Sequence, residues 1–179
     1  MQFLFQKYQA FGARATWMAG EWFVPLGARF AFIAVLLGYY WSSAMTKFSE
    51  GFFGFLSPTL GAHFQILPGI TEAAGYDLDA IHPLFTLIVL LGSWAEVILP
   101  LLILIGLFTR GAALAMMGFV VVQSVVDIWG HNVEAGSWFD RASDSVVMDQ
   151  RLFWLFILAI LVTKGAGPLS LDRAFSVDN

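Results

Sequence analysis

Glu96 is the residue best placed to do chemistry. It is the one charge in the 25 residues from Leu84 to Phe108, 13 positions after Pro83 and 14 before Arg110. At about 1.5 Å of rise per residue, its carboxyl falls near the middle of an apolar helix. An ionised carboxylate there costs at least about 2.5 kcal/mol, so it must be protonated, paired or set in a wet cavity. Each of those states suits holding or moving a proton. Pro100 follows four residues later and has no N–H, so the Glu96 carbonyl loses its helical donor and the helix should kink. Gly92 and Ser93 lie one turn earlier on the same face, which completes a small polar niche. The plainer alternative is a carboxyl that bonds a neighbouring helix and fixes packing.

Partners for Glu96 come from two other apolar segments. Tyr40, Ser43 and Lys47 share a helix face by their i, i+3, i+7 spacing. Gln123 and Asp127 share another at i, i+4. Joined to Glu96 they make a polar path from one end of the molecule to mid-helix, suited to protons or a quinone headgroup. In that reading Glu96, Lys47 and Asp127 are the reactive groups, and Tyr40, Ser43, Ser93 and Gln123 hold the headgroup. The competing reading is routine interhelical hydrogen bonding, with Lys47 and Asp127 as an ion pair at the outer edge. His63, His82 and His131 are weak metal candidates. Three imidazoles can ligate zinc or copper, but their spacing matches no metal motif. None lies within a span, which argues against intramembrane bis-histidine haem.

The elements that position these residues follow from composition. Of 179 residues, 59 % are hydrophobic and 12 % charged, against about 45–50 % and 25 % in soluble chains. That describes an integral membrane protein whose first partner is the lipid bilayer. With no cysteine, disulfide exchange, thiolate iron–sulfur ligation and covalent haem attachment are excluded. A net charge of −4 argues against nucleic acid, which requires a basic patch.

The pattern predicts an all-α four-transmembrane-helix bundle with spans at about 26–46, 84–108, 111–129 and 147–165. Residues 1–24 carry no cleavable signal. Leu4, Tyr8, Phe11, Ala15, Met18 and Trp22 instead form one stripe of an amphipathic interfacial helix. Residues 25–175 form the membrane domain and 176–179 a tail. The fourth span is the weakest, with Arg151 and Lys164 only 13 positions apart. It reaches full length if both stems snorkel and Val146–Met148 continue the helix. Glycines 165 and 167 in a left-handed cap, followed by Pro168, should end it. Six basic residues (Lys7, Arg14, Arg29, Arg110, Lys164, Arg173) fall on the side of the termini and three (Lys47, Arg141, Arg151) on the other. The positive-inside bias predicts N-in and C-in. Phe52, Phe53, Phe55 and Trp138 anchor the outer loops at the interface, the alternative for 52–58 being a re-entrant segment.

A first helix ending in Lys47-Phe48, the run WAEVILPLLILIGLFTRGAAL (Trp94–Leu114) and the closing GAGPLSLDRAF (Gly165–Phe175) together carry a resemblance. Over roughly residues 25–175 the chain resembles the DoxX family of bacterial four-helix membrane proteins. The family is named for a membrane subunit of an archaeal thiosulfate:quinone oxidoreductase. The resemblance implies a bacterial inner-membrane protein and a quinone-linked redox role, with quinone as a non-covalent cofactor and protein subunits as partners. It places the family's acidic residue at Glu96, its basic residue at Lys47 and its loop arginine at Arg110. Any catalysis would then belong to a complex, since no cofactor motif is present. An accessory subunit without chemistry, and a small permease or proton path, are the alternatives.

Overall fold

The computed structural model describes residues 12–13 and 16–175. Among these the fold is all-helical, running α1 (Thr16–Met45), α2 (Leu60–Ile66), α3 (Pro68–Ala73), α4 (Pro83–Ile105), α5 (Thr109–Trp129), α6 (Val146–Lys164) and α7 (Leu171–Ala174). Four of them, α1, α4, α5 and α6, are long and apolar enough to cross a membrane. They close a ring in which α1 and α5 each pack on both α4 and α6. The buried sides repeat at alternating steps of four and three. On α4 these are Val89, Ser93, Glu96, Pro100 and Ile103; on α6 they are Val147, Arg151, Trp154, Leu158 and Leu161. That step pattern is the seam of near-parallel helix packing. Leu87, Leu91, Val122 and Phe156 are exposed on the opposite sides. The inward faces are therefore distinguished by their polar residues rather than by being apolar.

The boundaries depart from the sequence expectation in instructive places. α1 does not begin near 26 but runs unbroken from Thr16 through Pro25. A π turn at Ala19–Phe23, closed by the Val24 N–H on the Ala19 carbonyl, precedes the proline. The wider turn takes up the chain where Pro25 offers no N–H and crowds the preceding turn. Of the predicted amphipathic stripe, Leu4, Tyr8, Phe11 and Ala15 lie outside the described residues, while Met18 and Trp22 are exposed on α1. No helix break separates residues 16–24 from the membrane domain. α4 stops three residues before Phe108 because Gly106 turns left-handed (φ 67°, ψ 47°). The Leu107 N–H bonds the Leu102 carbonyl and the Gly106 N–H bonds that of Ile103, the double closure of a Schellman end.

α6 gains its length as expected, from Val146. Ser145 and Asp149 cap its start reciprocally, each side chain accepting from the other's N–H. It ends at Lys164, where Gly165 takes φ 73° and ψ −164°. That conformation favours glycine but is extended, not the left-handed cap expected there. The chain then folds back beneath the bundle. An Arg29 Nη1–H donates to the Ala166 carbonyl at 3.0 Å, and the Asp172 N–H donates to the Gly106 carbonyl at 2.8 Å. The turn before α5, residues 166–172 after α6 and Arg29 of α1 thus meet at one end.

At the other end, α1 stops at Met45 and Thr46–Pro58 folds as a short hairpin closed by a bridge between Phe48 and Pro58. Its tip is a 3₁₀ turn, Gly54–Leu56, and the Trp94 indole N–H donates to the Phe55 carbonyl at 3.1 Å. Trp94 lies 11 positions into α4, so the hairpin sits beside the middle of that helix. Thr59 caps α2, and Leu67 before Pro68, at the non-helical φ −131° and ψ 62°, separates α2 from α3, because the ring disfavours helix at the preceding residue. His131, after α5, makes a 3.0 Å ring-nitrogen contact with the Gln65 carbonyl, tying the α5–α6 loop to the α1–α4 connection.

Candidate functional site

Glu96 comes from the buried seam of α4, and Lys47 arrives from just beyond the end of α1. The Lys47 side chain turns back one helical turn, and its Nζ donates to Glu96 Oε2 at 2.8 Å, to Ser43 Oγ at 2.6 Å and to the Ser43 carbonyl at 3.2 Å. Both partners are buried, Lys47 at 1 % and Glu96 at 5 % exposure. The pairing is local chemistry as much as tertiary design. Lys47 stands one turn beyond Ser43, whose carbonyl lacks the usual donor four residues on and takes instead a 3.3 Å bond from the Thr46 N–H and one from the Thr46 hydroxyl. The negative end of the α1 dipole attracts a cation there. Next to this pair, the Trp41 indole N–H donates to the Val97 carbonyl at 3.3 Å. That carbonyl adjoins the one that Pro100 leaves without its helical donor.

A second ion pair joins α5 to α6. Arg151 of α6 donates from Nη2 to Asp127 Oδ2 and from Nη1 to Ser124 Oγ. Its guanidinium lies 5.9 Å from the Trp154 ring centroid, within cation–π range. The expected edge pair between Lys47 and Asp127 is thus replaced by two others, Lys47–Glu96 and Asp127–Arg151. Nor does Arg151 snorkel: at 2 % exposure it is among the most buried residues. Asp127 outcompetes solvent for it because a guanidinium makes directed bonds to a carboxylate and is weakly hydrated.

Between the pairs lies a cavity of about 200 Å³, lined by Lys47, Gln65, Ile66, Ile88, Gly92, Glu96, Phe119, Val122, Gln123, Val126 and Asp127. α2 contributes Gln65 and Ile66, α4 the Glu96 wall, and α5 the wall from Phe119 to Asp127. Ile88 and Val122 in this lining are also exposed on the outer surface of the bundle, so the cavity reaches that surface beside α4 and α5. Gly92 keeps it open: a Cβ there would stand 3.3 Å from the Ile66 side chain. Gln123 is fixed from behind, its Oε1 accepting from the Tyr40 hydroxyl at 3.2 Å and its Nε2 donating to the Tyr39 hydroxyl at 3.0 Å.

Of the residues singled out by sequence, Glu96, Lys47, Gln123 and Asp127 line this one cavity. Tyr40 and Ser43 stand behind it, holding Gln123 and Lys47. Ser93 does not belong to the site. It is buried on the α4 seam and its hydroxyl donates to its own helix, at the Val89 carbonyl, 2.8 Å away, as a mid-helix serine commonly does. The histidines separate as well. His63 is buried between the Thr59 carbonyl and the Thr86 hydroxyl, His82 caps α4 through the Leu84 N–H, and His131 packs on Phe64. Among the described residues no three His, Asp or Glu side chains are grouped to hold a metal. Arg110 is exposed at the start of α5, away from the cavity.

Sequence reasoning missed Arg151 as a partner, although its position three before Trp154 put it in phase with the buried seam. It also missed Gln65 and Ile66, whose place in the long connection between α1 and α4 gave no sign that α2 would fold over the cavity. No family model, curated protein or solved structure matches this chain, so its own geometry carries the functional argument.

Proposed function

We propose that the protein is a DoxX-like, multi-pass bacterial inner-membrane protein that serves as a membrane subunit or accessory of a quinone-linked redox complex. One observation carries this reading: a cavity that runs from the loop-side ends of α4 and α5 down to Glu96 at mid-helix and combines two carboxylates, two amides and an apolar wall reaching the surface of the bundle. An apolar-tailed ring compound diffusing in the bilayer needs such a lateral entrance and a few convergent polar groups at its end. The size is adequate, since about 150 Å³ suffices for a benzene ring. The residues act by binding and orientation. Lys47 and Arg151 hold Glu96 and Asp127 in place, and the carboxylates accept hydrogen bonds or protons from what enters.

Two further observations support the wider frame. Six basic residues fall on the side of the termini and three on the other, a bias that supports N-in and C-in. The two stretches most characteristic of the DoxX resemblance, GLFTR and GAGPLSLD, also meet in one interlocked turn. Purification in mild detergent, with lipid extraction and identification of bound subunits, tests the proposal. The expected result is a retained protein partner and a stoichiometric quinone-type lipid. Recovery of a lone bundle that neither retains nor binds a quinone would overturn it. A reporter fused after Asn179 should be cytoplasmic, and a periplasmic signal would overturn the orientation.

A further inference from the structure

We infer that the cavity prefers the reduced, hydroxyl-bearing form of its ligand, a quinol, over the carbonyl-bearing quinone. This rests on the reading that a quinone-type headgroup enters there, and follows from which hydrogen-bonding groups are still available to a ligand. A quinone carbonyl needs a donor from the wall, and Lys47 is the obvious one. An ammonium has three N–H groups, and Lys47 directs them to Ser43 Oγ, the Ser43 carbonyl and Glu96 Oε2. None is left for a ligand. Arg151, the other nearby cation, is not part of the lining. The remaining donors are neutral amides: Gln65, and Gln123 with one Nε2–H already bonded to Tyr39.

Acceptors are more plentiful and stronger. A carboxylate offers about four lone-pair sites. Glu96 gives one to Lys47 and one to the Ser43 hydroxyl, and Asp127 gives one to Arg151; both side chains face the cavity with acceptor sites to spare. A hydroxyl bonded to an ionised carboxylate makes a shorter bond, roughly twice as strong as one between neutral groups. The wall is therefore rich in anionic acceptors and poor in donors. A ring carrying hydroxyls satisfies it, and a ring carrying carbonyls leaves two carboxylates facing carbonyl oxygens.

The test is a pair of affinities. The full-length protein in lipid nanodiscs is titrated anaerobically with a short-tailed benzoquinone and with the same compound reduced to its quinol. We expect the quinol to bind about tenfold more tightly, the effect of one hydrogen bond to a charged group. Asp127→Asn replaces an anionic acceptor by an amide that also donates, and should move the ratio toward one. Equal or tighter binding of the quinone by the unaltered protein overturns the inference while leaving the proposed function standing. Binding of neither form overturns both. An unchanged ratio in an assembled Asp127→Asn protein also counts against it. If that variant does not assemble, the ratio measured on the unaltered protein decides.

Discussion

Two buried carboxylates, Glu96 and Asp172, sit in this molecule under opposite arrangements. Asp172 is 1 % exposed and directs Oδ1 to the Phe108 N–H at 2.6 Å and Oδ2 to the Thr109 N–H at 2.9 Å. Those are unsatisfied donors at the start of α5, where the helix dipole also favours an anion. Both oxygens are occupied by backbone, Phe108 is held at φ 48° beside them, and Asp172 is not part of the lining of the cavity at Glu96. Glu96 is almost as buried, but its partner is a side chain and it faces an open cavity. Burial alone therefore does not mark a working carboxyl. Asp172, with both oxygens hydrogen-bonded to backbone and the Arg29 guanidinium nearby, serves architecture, whereas a carboxylate paired to a side chain beside a void keeps capacity for a ligand or a proton.

The largest effect should come from splitting the Glu96 pair. Lys47→Met leaves a carboxylate buried without its cation, and equilibrium unfolding in mixed micelles should show a loss of about 3–5 kcal/mol. The sequence alone suggests that Glu96→Gln leaves assembly untouched. With Lys47 at 2.8 Å, that variant strands an ammonium instead, so it too should destabilise. The double variant Lys47→Met/Glu96→Gln should lose less than the two single losses combined while still failing to bind ligand. Strict additivity would show that the two residues are not coupled.

Next comes Asp172→Ala. Losing two bonds to a charged group should cost about 2–4 kcal/mol, visible as a lower unfolding midpoint. Ligand affinity at low temperature should stay unchanged; weakened affinity would erase the contrast between the two carboxylates. Gly106→Ala acts on the same turn. A Cβ there would stand 2.6 Å from that of Ser170, at φ 67°, and the left-handed conformation alone costs about 1–2 kcal/mol.

The smallest effect belongs to Trp94→Phe. It removes the bond to the Phe55 carbonyl and should cost about 1 kcal/mol, again without altering affinity. The absence of native cysteine allows a sharper test of the hairpin beside mid-α4. A spin label at Phe53→Cys should be accessible to oxygen and shielded from a polar relaxant, unlike one at the fully exposed Phe139. Equal access to the polar reagent at both positions would place the hairpin in water.

Four apolar helices, their approximate limits and the solitary Glu96 were legible in the sequence because they are local properties. Hydropathy over some twenty residues, a proline or glycine at a helix end, and a charge inside an apolar run need no knowledge of neighbours. Pairing was not legible. Lys47, Asp127, Glu96 and Arg151 permit more than one matching, and the choice depends on how each helix is rotated and which helices adjoin. Helices apolar on every side carry no hydrophobic face to settle that rotation. The same ambiguity allowed Ser93 to pass for a site residue and Arg151 for a snorkelling one. Only the tertiary structure joined α1 to α4 and α5 to α6, folded α2 over the gap, and left a cavity between two ion pairs.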